Sequence, residues 1–501
     1  MSVLQLALSW TSVCPLLAVL AAAPVALLTF WTAKLLVRHA WYTHRMACFS
    51  KPHARSWLLG HLGQVTLSKW KSNTVHHHLF SAVFCCLPAA SITVKDELIY
   101  DHLRPWLGNS LLLSNGEAWS RRRRLLTPAF HFDILKNYVT KFNTSTNTLH
   151  DKWHRLLVEG TTNIEVFEHF TLMTLDSLLK CAFSYDSDCQ QSSSEYASAI
   201  IELSDLIIER RQRILHHWDW IYWRTQQGKR FKKALSIVHK FTRDVVQKRL
   251  ALISQKGVAE LAAHRKRDFV DIILLTKDED GKGLTDEELQ AEANTFMFAG
   301  HDTTASAICW SLYNLAHHNH YQEQCRQEVM DLMEGRDVDE IKEDLSSLPF
   351  TTMCIRESLR LHSPVQAVTR RYIQDVKLPG ERTVPKGAIC LVSIYGTHHN
   401  PAVWTNPHDF DPLRFDPKNQ EGLSSHAFIP FSSGPRNCIG QKFALAELRV
   451  VVALTLLRFR LLPGNDPKRE TPFEKVRRLP QLVLRAEGGL WLQIEPVTQT
   501  Q

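Results

Sequence analysis

The sequence predicts a mainly α-helical protein with small β-sheets, arranged as one large domain behind an N-terminal membrane anchor. Three observations lead there. Apolar residues recur at helical spacing over 138–157, 200–215, 284–318 and 442–461, whereas strand-like alternation is confined to 365–394 and 482–492. The 501 residues contain no Gly/Ser linker, low-complexity run or internal repeat after residue 60, which favours one domain over the roughly three that length alone suggests. No charged residue occurs between Met1 and Ala33.

That uncharged start justifies the first element. Its apolar part, Pro15 to Ala33, is long enough to span a bilayer, and Lys34, Arg38 and Arg45 follow it, which leaves the remainder cytoplasmic. A cleaved signal peptide is the competing reading, because Ala21 to Ala23 offers small residues. The apolar run exceeds a signal h-region and its charge lies behind it, so an uncleaved anchor is expected; a mitochondrial transit peptide would need early arginines. The expected division is anchor and linker over 1–50 and the main domain over 51–501. Ser50 to Arg55 reads as a stiff polar exit from the membrane and Gly60 to Gly63 as a turn.

Composition narrows the function classes. Hydrophobic residues at 44% and charged ones at 22% suffice for a sizeable core. A balance of 59 basic to 51 acidic residues, +8, is too mild for nucleic acid and suits an anionic membrane surface or an acidic partner. Eleven scattered cysteines without a C-x-x-C pair indicate a reducing compartment, not a disulfide framework. The histidine runs at 76–78, 216–217 and 317–318 lack partner spacing and are assigned no metal. Lys229 to Arg249 is a basic amphipathic helix whose polar face is solvated or touches a membrane surface.

Four stretches carry chemistry. Ser114 and Glu117 are spaced as a capping box opening a helix that Pro128 closes. On it Trp119 and Arg123 share a face, and of the four consecutive arginines 121–124 at least one must point inward, where it requires an anion. Thr285 and Glu288 form a second capping box, opening a helix of roughly 45 to 50 Å at about 1.5 Å per residue. Its apolar run is broken by Ala299-Gly300-His301-Asp302-Thr303-Thr304. Either this is a kink with Thr303 bonding back to a carbonyl, or it is a local opening where Thr303 donates a hydrogen bond and Asp302 relays protons. Glu357 and Arg360 share a face at i,i+3. Finally, Phe431-Ser432-Ser433-Gly434-Pro435-Arg436-Asn437-Cys438-Ile439-Gly440 places Cys438 in a tight loop at a helix N-terminus, which favours a thiolate. Gly434 and Gly440 allow turns there, and Arg436 can reach a carboxylate.

Phe-x-x-Gly-x-Arg-x-Cys-x-Gly resembles the haem-binding loop of the cytochrome P450 monooxygenases, and the other stretches follow in that family's order along the whole chain. The resemblance implies that Cys438 ligates haem iron and that Phe431 and Gly440 border the cofactor. Trp119, Arg123, Arg370 and Arg436 would then meet its propionates, and Gly300 would lie in the oxygen-activation segment with Asp302 and Thr303. Glu357 and Arg360 resemble the family's Glu-x-x-Arg, which Arg414 completes. Thr127 to Phe132, Tyr395 to Pro401 and Leu482 to Leu492, read as a hairpin turning at Gly488-Gly489, resemble the omega-hydroxylase branch acting on leukotrienes, arachidonic acid and other long-chain acids. One position departs: the glutamate that becomes esterified to haem in much of that branch is here Ala299. The expected cofactor is therefore haem b without a covalent bond, and terminal-methyl selectivity is put in question. Phe296, Ala299 and Val365 are the expected substrate neighbours. The implied setting is the endoplasmic reticulum membrane, with electrons from NADPH through cytochrome P450 reductase and cytochrome b5 as a further partner. The competing functions are a peroxide isomerase or dehydratase, which would not need Asp302 and Thr303, a monooxygenase of xenobiotics, and a haem sensor.

Overall fold

The computed structural model describes residues 3–45, 93–191, 194–256, 269–333, 348–378, 382–467 and 476–497. The segments Ser50–Arg55 and Gly60–Gly63, His76–His78 and the turn at Pro379-Gly380 lie outside them. The chain to Arg45, with the described residues of 372–388, forms one compact unit, and the rest of the described chain forms a second.

In the first unit, helix α1 (Val3–Arg45) is continuous. Strands β4 (Val376–Lys377) and β5 (Thr383–Val384) pair antiparallel. Asp375 accepts from Arg45 at 2.8 Å and from the Lys386 amide at 2.7 Å. Among the described residues no helix is long and apolar enough to cross a membrane. Side chains of α1 are described from Ala22 onward, so the expected span 15–33 lies partly outside them.

The second unit is built around α7. In chain order its main helices are α2 (Gly116–Leu126), α3 (Val139–Val158), α4 (Val166–Phe183), α5 (Glu195–Gln212), α6 (Gln226–Lys256), α7 (Asp286–His317), α8 (Asn319–Met333), α9 (Pro349–Leu361) and α10 (Gln441–Arg458). Helix α7 starts where expected. Thr285 Oγ1 accepts from the Glu288 amide at 3.2 Å, Glu288 Oε2 accepts from the Thr285 amide at 3.1 Å, and three acidic residues fill the first turn, matching the helix dipole. It is buried along most of its length, against α4 above all and also α6, α9 and α10. Its first half, Leu289 to Phe298, joins a core cluster with α4, α5 and α6; its second half, Ala305 to Ala316, joins another with α9, α10 and the C-terminal strands.

Strands β1 (Thr93–Val94), β3 (Ala367–Tyr372) and β6 (Ile389–Ser393) form one sheet, in the order β1-β3-β6. Strands β2 (Asn163–Glu165), β10 (Trp491–Pro496) and β7 (Phe459–Pro463) form another, with β10 central. Strands β8 (Arg478–Pro480) and β9 (Leu484–Ala486) pair antiparallel.

Three local expectations are corrected. The helix at 116 is capped by Asn115, not Ser114, and without a side-chain bond, because Asn115 Oδ1 accepts from the Lys95 amide at 2.9 Å and from Arg436 at 3.1 Å instead. Helix α10 ends at Arg458, where the chain turns extended as β7 and finds β10 as partner. Gly488 and Gly489 do turn the chain with positive φ, 80° and 86°, but β9 and β10 join different sheets, so no hairpin forms between them.

Candidate active site

The cysteine loop is shaped by its backbone. The Cys438 amide donates to the Phe431 carbonyl at 2.9 Å and the Asn437 amide to the Gly434 carbonyl at 3.0 Å. Gly434, at φ 74°, takes the left-handed conformation that a glycine adopts without strain. Gly440 does not need that freedom. Its φ is −86°, and a Cβ there would make only ordinary contacts, 3.8 Å from the Phe130 ring and 4.0 Å from Cys438 Sγ. Phe431 packs into the second core cluster.

Cys438 is exposed, yet protein surrounds it closely enough for desolvation to govern its titration. Burial pushes the thiol up, while the Gly440 amide and Arg123 push it down, and burial wins. The helix terminus alone therefore does not supply the expected thiolate. A coordinated metal cation would, since a ligating thiol is deprotonated outright.

Around the loop stand cations without a carboxylate. Arg123 donates to Asn437 O at 2.8 Å and to Oδ1 at 2.9 Å. Arg436 lies over the Trp119 ring, 4.4 Å from its centroid, and donates to Ser114 O at 2.9 Å. Its second terminal nitrogen is buried without a partner. Burial, aided by repulsion from Arg370, pushes Arg436 down to about 10. Arg370 is itself buried and, among the described residues, donates to the neighbouring Thr369 carbonyl alone. The most buried arginine of α2 is none of these. Arg122 has its own anions on α7, Glu288 at 2.9 Å and Glu292 at 3.4 Å, and Arg121 pairs with Asp278 at 2.7 Å.

Between Ala291 and Ala316 of α7 the half-buried residues are Phe296, Ala299, Gly300 and Thr303, spaced i, i+3, i+4, i+7 among buried neighbours, so one stripe of the helix is less tightly covered. Phe296 packs edge-to-face on Phe269 and tilted against Phe130, with centroids 4.5 and 5.5 Å apart. A Cβ on Gly300 would meet both Leu178 methyl carbons at 3.0 Å, so the close approach it permits is to α4. The helix is unbroken here. Thr303 Oγ1 donates to Ala299 O at 2.7 Å, and Thr304 does the same to Gly300 O at 2.7 Å. Asp302, buried, pairs with Arg485 of β9, whose guanidinium lies 5.1 Å from the Phe167 ring. Val365 is half-buried ahead of β3.

Glu357 and Arg360 are fully buried and doubly bonded, at 2.7 and 2.8 Å, with Arg414 Nε 3.3 Å from the same carboxylate. Arg360 also donates to the carbonyls of His398, Pro407 and Asp409, and the Asp411 amide donates to Glu357 at 3.0 Å. The network ties α9 to the segment leading into the cysteine loop.

The family model described as Cytochrome P450 matches residues 38–490. The chain belongs to the cytochrome P450 family. The leukotriene-B4 omega-hydroxylase 3 of Mus musculus is 48% identical over 528 residues, covering 99% of this chain and 99% of its own. The ultra-long-chain fatty acid omega-hydroxylase of Homo sapiens is 51% identical over 480 residues, covering 90% and 89%, and cytochrome P450 4F3 of Homo sapiens is 51% identical over 484 residues, covering 91% of each. Family membership implies haem held by a cysteine thiolate, and the residues present fit it: an exposed sulfur, and the flanking cations Arg370, buried, and Arg123 and Arg436, half-buried, the last with an orphaned nitrogen, none paired with a carboxylate among the described residues. Sequence reasoning missed Lys95, Tyr100 and Arg485. For Arg485 the available signal was an arginine inside an otherwise apolar stretch, Leu482 to Ala486, which requires a counter-charge.

Proposed function

We propose that this P450 monooxygenase hydroxylates long-chain fatty acids or eicosanoids at or near the omega carbon. The observation that carries the reading is the open Cys438 thiol among uncompensated cations, in a chain sharing about half its residues with two proteins named as omega-hydroxylases. When bound, haem supplies dioxygen activation and oxygen insertion into an aliphatic C–H bond, with electrons from NADPH through a reductase.

The chain's own residues do the rest. Cys438 would ligate the iron, while Arg123, Arg436 and Arg370 would hold the propionates, with Trp119 backing Arg436. Val365 and the stripe Phe296, Ala299 and Thr303 border the substrate, and the Phe130, Phe269 and Phe296 rings keep bulk water out. Thr303 now spends its proton on the Ala299 carbonyl. A turn about χ1 lets that hydroxyl donate into the site, and Asp302 passes it a proton after parting from Arg485. The Glu357, Arg360 and Arg414 network positions the cysteine loop. With alanine at 299, the haem is not covalently held.

Residues 1–50 anchor the chain in the endoplasmic reticulum membrane with domain 51–501 on the cytoplasmic side, where reductase and cytochrome b5 deliver electrons. The exposed Leu28, Phe30, Trp31 and Leu36 of α1 support an apolar environment for that helix. Resistance to alkaline extraction tests the anchor.

The test of function is product analysis by mass spectrometry, after incubation with reductase, NADPH and a panel of saturated acids, arachidonic acid and a leukotriene. Hydroxylation at or next to the terminal carbon is expected; no product from any acid overturns the proposal.

A further inference from the structure

Two residues outside the assigned set close the cation cluster. Lys95, just after β1, is buried, with Nζ 3.4 Å from Tyr100 Oη and 4.4 Å from the centroid of that ring. Its amide and the Arg436 guanidinium share one acceptor, Asn115 Oδ1, at 2.9 and 3.1 Å. Tyr100 and Arg370 both engage the Thr369 backbone. Among the described residues no Asp or Glu pairs with Lys95, Arg370 or Arg436; the adjacent Asp96 is turned to Arg371. Two buried cations, Lys95 and Arg370, and the half-buried Arg436, whose second terminal nitrogen is buried without a partner, thus gather around a phenol with no carboxylate paired to them among the described residues. Their mutual strain is visible in the titration: burial, with Arg370 and Arg436 adding to it, pushes Lys95 down to about 8 against the opposing pull of Tyr100. In Tyr100, Lys95 and Arg370 outweigh burial and bring the phenol down to about 8. Buried like charges persist where a bound anion offsets their desolvation and repulsion.

We infer that Lys95 and Tyr100 complete, with Arg370 and Arg436, a buried carboxylate-binding site, occupied by a carboxylate of the haem or of the acid substrate. The inference rests on the haem-monooxygenase reading above. Lysine donates one charge-assisted hydrogen bond and the tyrosine hydroxyl a second, neutral one.

The test uses the full-length holoprotein with Lys95→Gln, Lys95→Arg and Tyr100→Phe. Haem transfer to apomyoglobin is timed, and KM is compared for a long-chain acid and its primary alcohol. If the cofactor is the source, Lys95→Gln speeds haem loss about tenfold, the worth of one charge-assisted bond, and Lys95→Arg restores it. If the substrate is the source, haem loss is unchanged and KM rises about tenfold for the acid alone. Tyr100→Phe shifts the same readout in the same direction by a smaller factor, and serves if Lys95→Gln does not fold. Folded variants that change neither readout overturn the inference. An unmodified protein lacking a thiolate-type carbon monoxide spectrum would instead overturn the haem-monooxygenase reading, independently of Lys95.

Discussion

Glu357→Gln isolates the charge at the centre of the network beneath the cysteine loop. The substitution preserves shape and one acceptor oxygen, so packing is nearly constant. What it removes is the negative charge facing Arg360 at 2.7 and 2.8 Å and Arg414 at 3.3 Å. Glu357 and Arg360 are both fully buried, so water cannot replace the lost partner, and the new amide group turns N–H toward a guanidinium. Stranding a buried charge in this way costs about 3–5 kcal/mol, a large share of the roughly 5–15 kcal/mol that holds a domain folded. Arg414→Gln gives the comparison. Arg414 is partly exposed and makes one longer contact to the same carboxylate, so its loss costs about 1 kcal/mol or less. Urea unfolding followed by tryptophan fluorescence reads both variants, Trp404 lying 5.3 Å from the Arg360 guanidinium. A Glu357→Gln midpoint no lower than that of Arg414→Gln would refute the reasoning, because the carboxylate would then be expendable where, among the described residues, it is the counter-charge that Arg360 has.

Three other outcomes follow from the site and its supports. Burial holds Glu447 of α10 up to about 8, with the Ser177 hydroxyl opposing, so the folded state keeps a proton that the unfolded chain releases above about pH 4.5. Stability therefore falls as pH rises from about 4.5 to 8, by up to about 1.4 kcal/mol per pH unit, and urea midpoints of Glu447→Gln at pH 5 and 8.5 should lack that slope. Asp302→Asn cannot pass on a proton, so product formed per NADPH consumed should drop by about 10²-fold or more, with NADPH oxidation persisting; unchanged coupling would remove Asp302 from proton delivery. Acid–acetone extraction should strip all haem from the unmodified protein, and haem retained on the chain would contradict the role given to Ala299.

Legibility in the sequence followed the range of the interactions. The start of α7 was readable because a capping box and an acidic first turn act over four residues, and Glu357 with Arg360 because one helical turn separates them. The cysteine loop was readable because its turns are made of its own backbone. The Ser114 cap failed for a non-local reason: Asn115 is held by Lys95 and Arg436, residues 20 and 321 positions away. The arginine run on α2 announced that a buried anion was needed but not whose. Arg122 found Glu288 and Glu292, and Arg123 found the cysteine loop, a choice set by how α2 docks. The C-terminal turn was read from Gly488 and Gly489, yet pairing depends on which strands stand beside it, and β10 finds β2 and β7.

The placement of the polar segment within α7 follows from the same accounting. Between Phe298 and Ala305 the helix passes from one core cluster to the other, and residues 299–304 sit at that seam. Inside a continuous apolar core their hydroxyls and carboxylate would go unanswered, at a few kcal/mol each. At the seam the hydroxyls and the carboxylate are met, while His301 Nε2 is left without a partner. Thr174 of α4 donates to the His301 carbonyl at 3.0 Å, Arg485 of β9 takes Asp302, and Ser306 one turn on donates to the Leu484 carbonyl at 2.7 Å. Thr303 and Thr304 satisfy themselves on the preceding turn, at 2.7 Å each. The difference matters for chemistry. A hydroxyl bonded to its own helix is released by one side-chain rotation, whereas Asp302 is released only by breaking an ion pair to a strand nearly 200 residues away. The C-terminal strand therefore governs when the carboxylate is free, and Arg485→Met should raise NADPH oxidation without a matching rise in product, since it frees Asp302 whether or not Thr303 has turned.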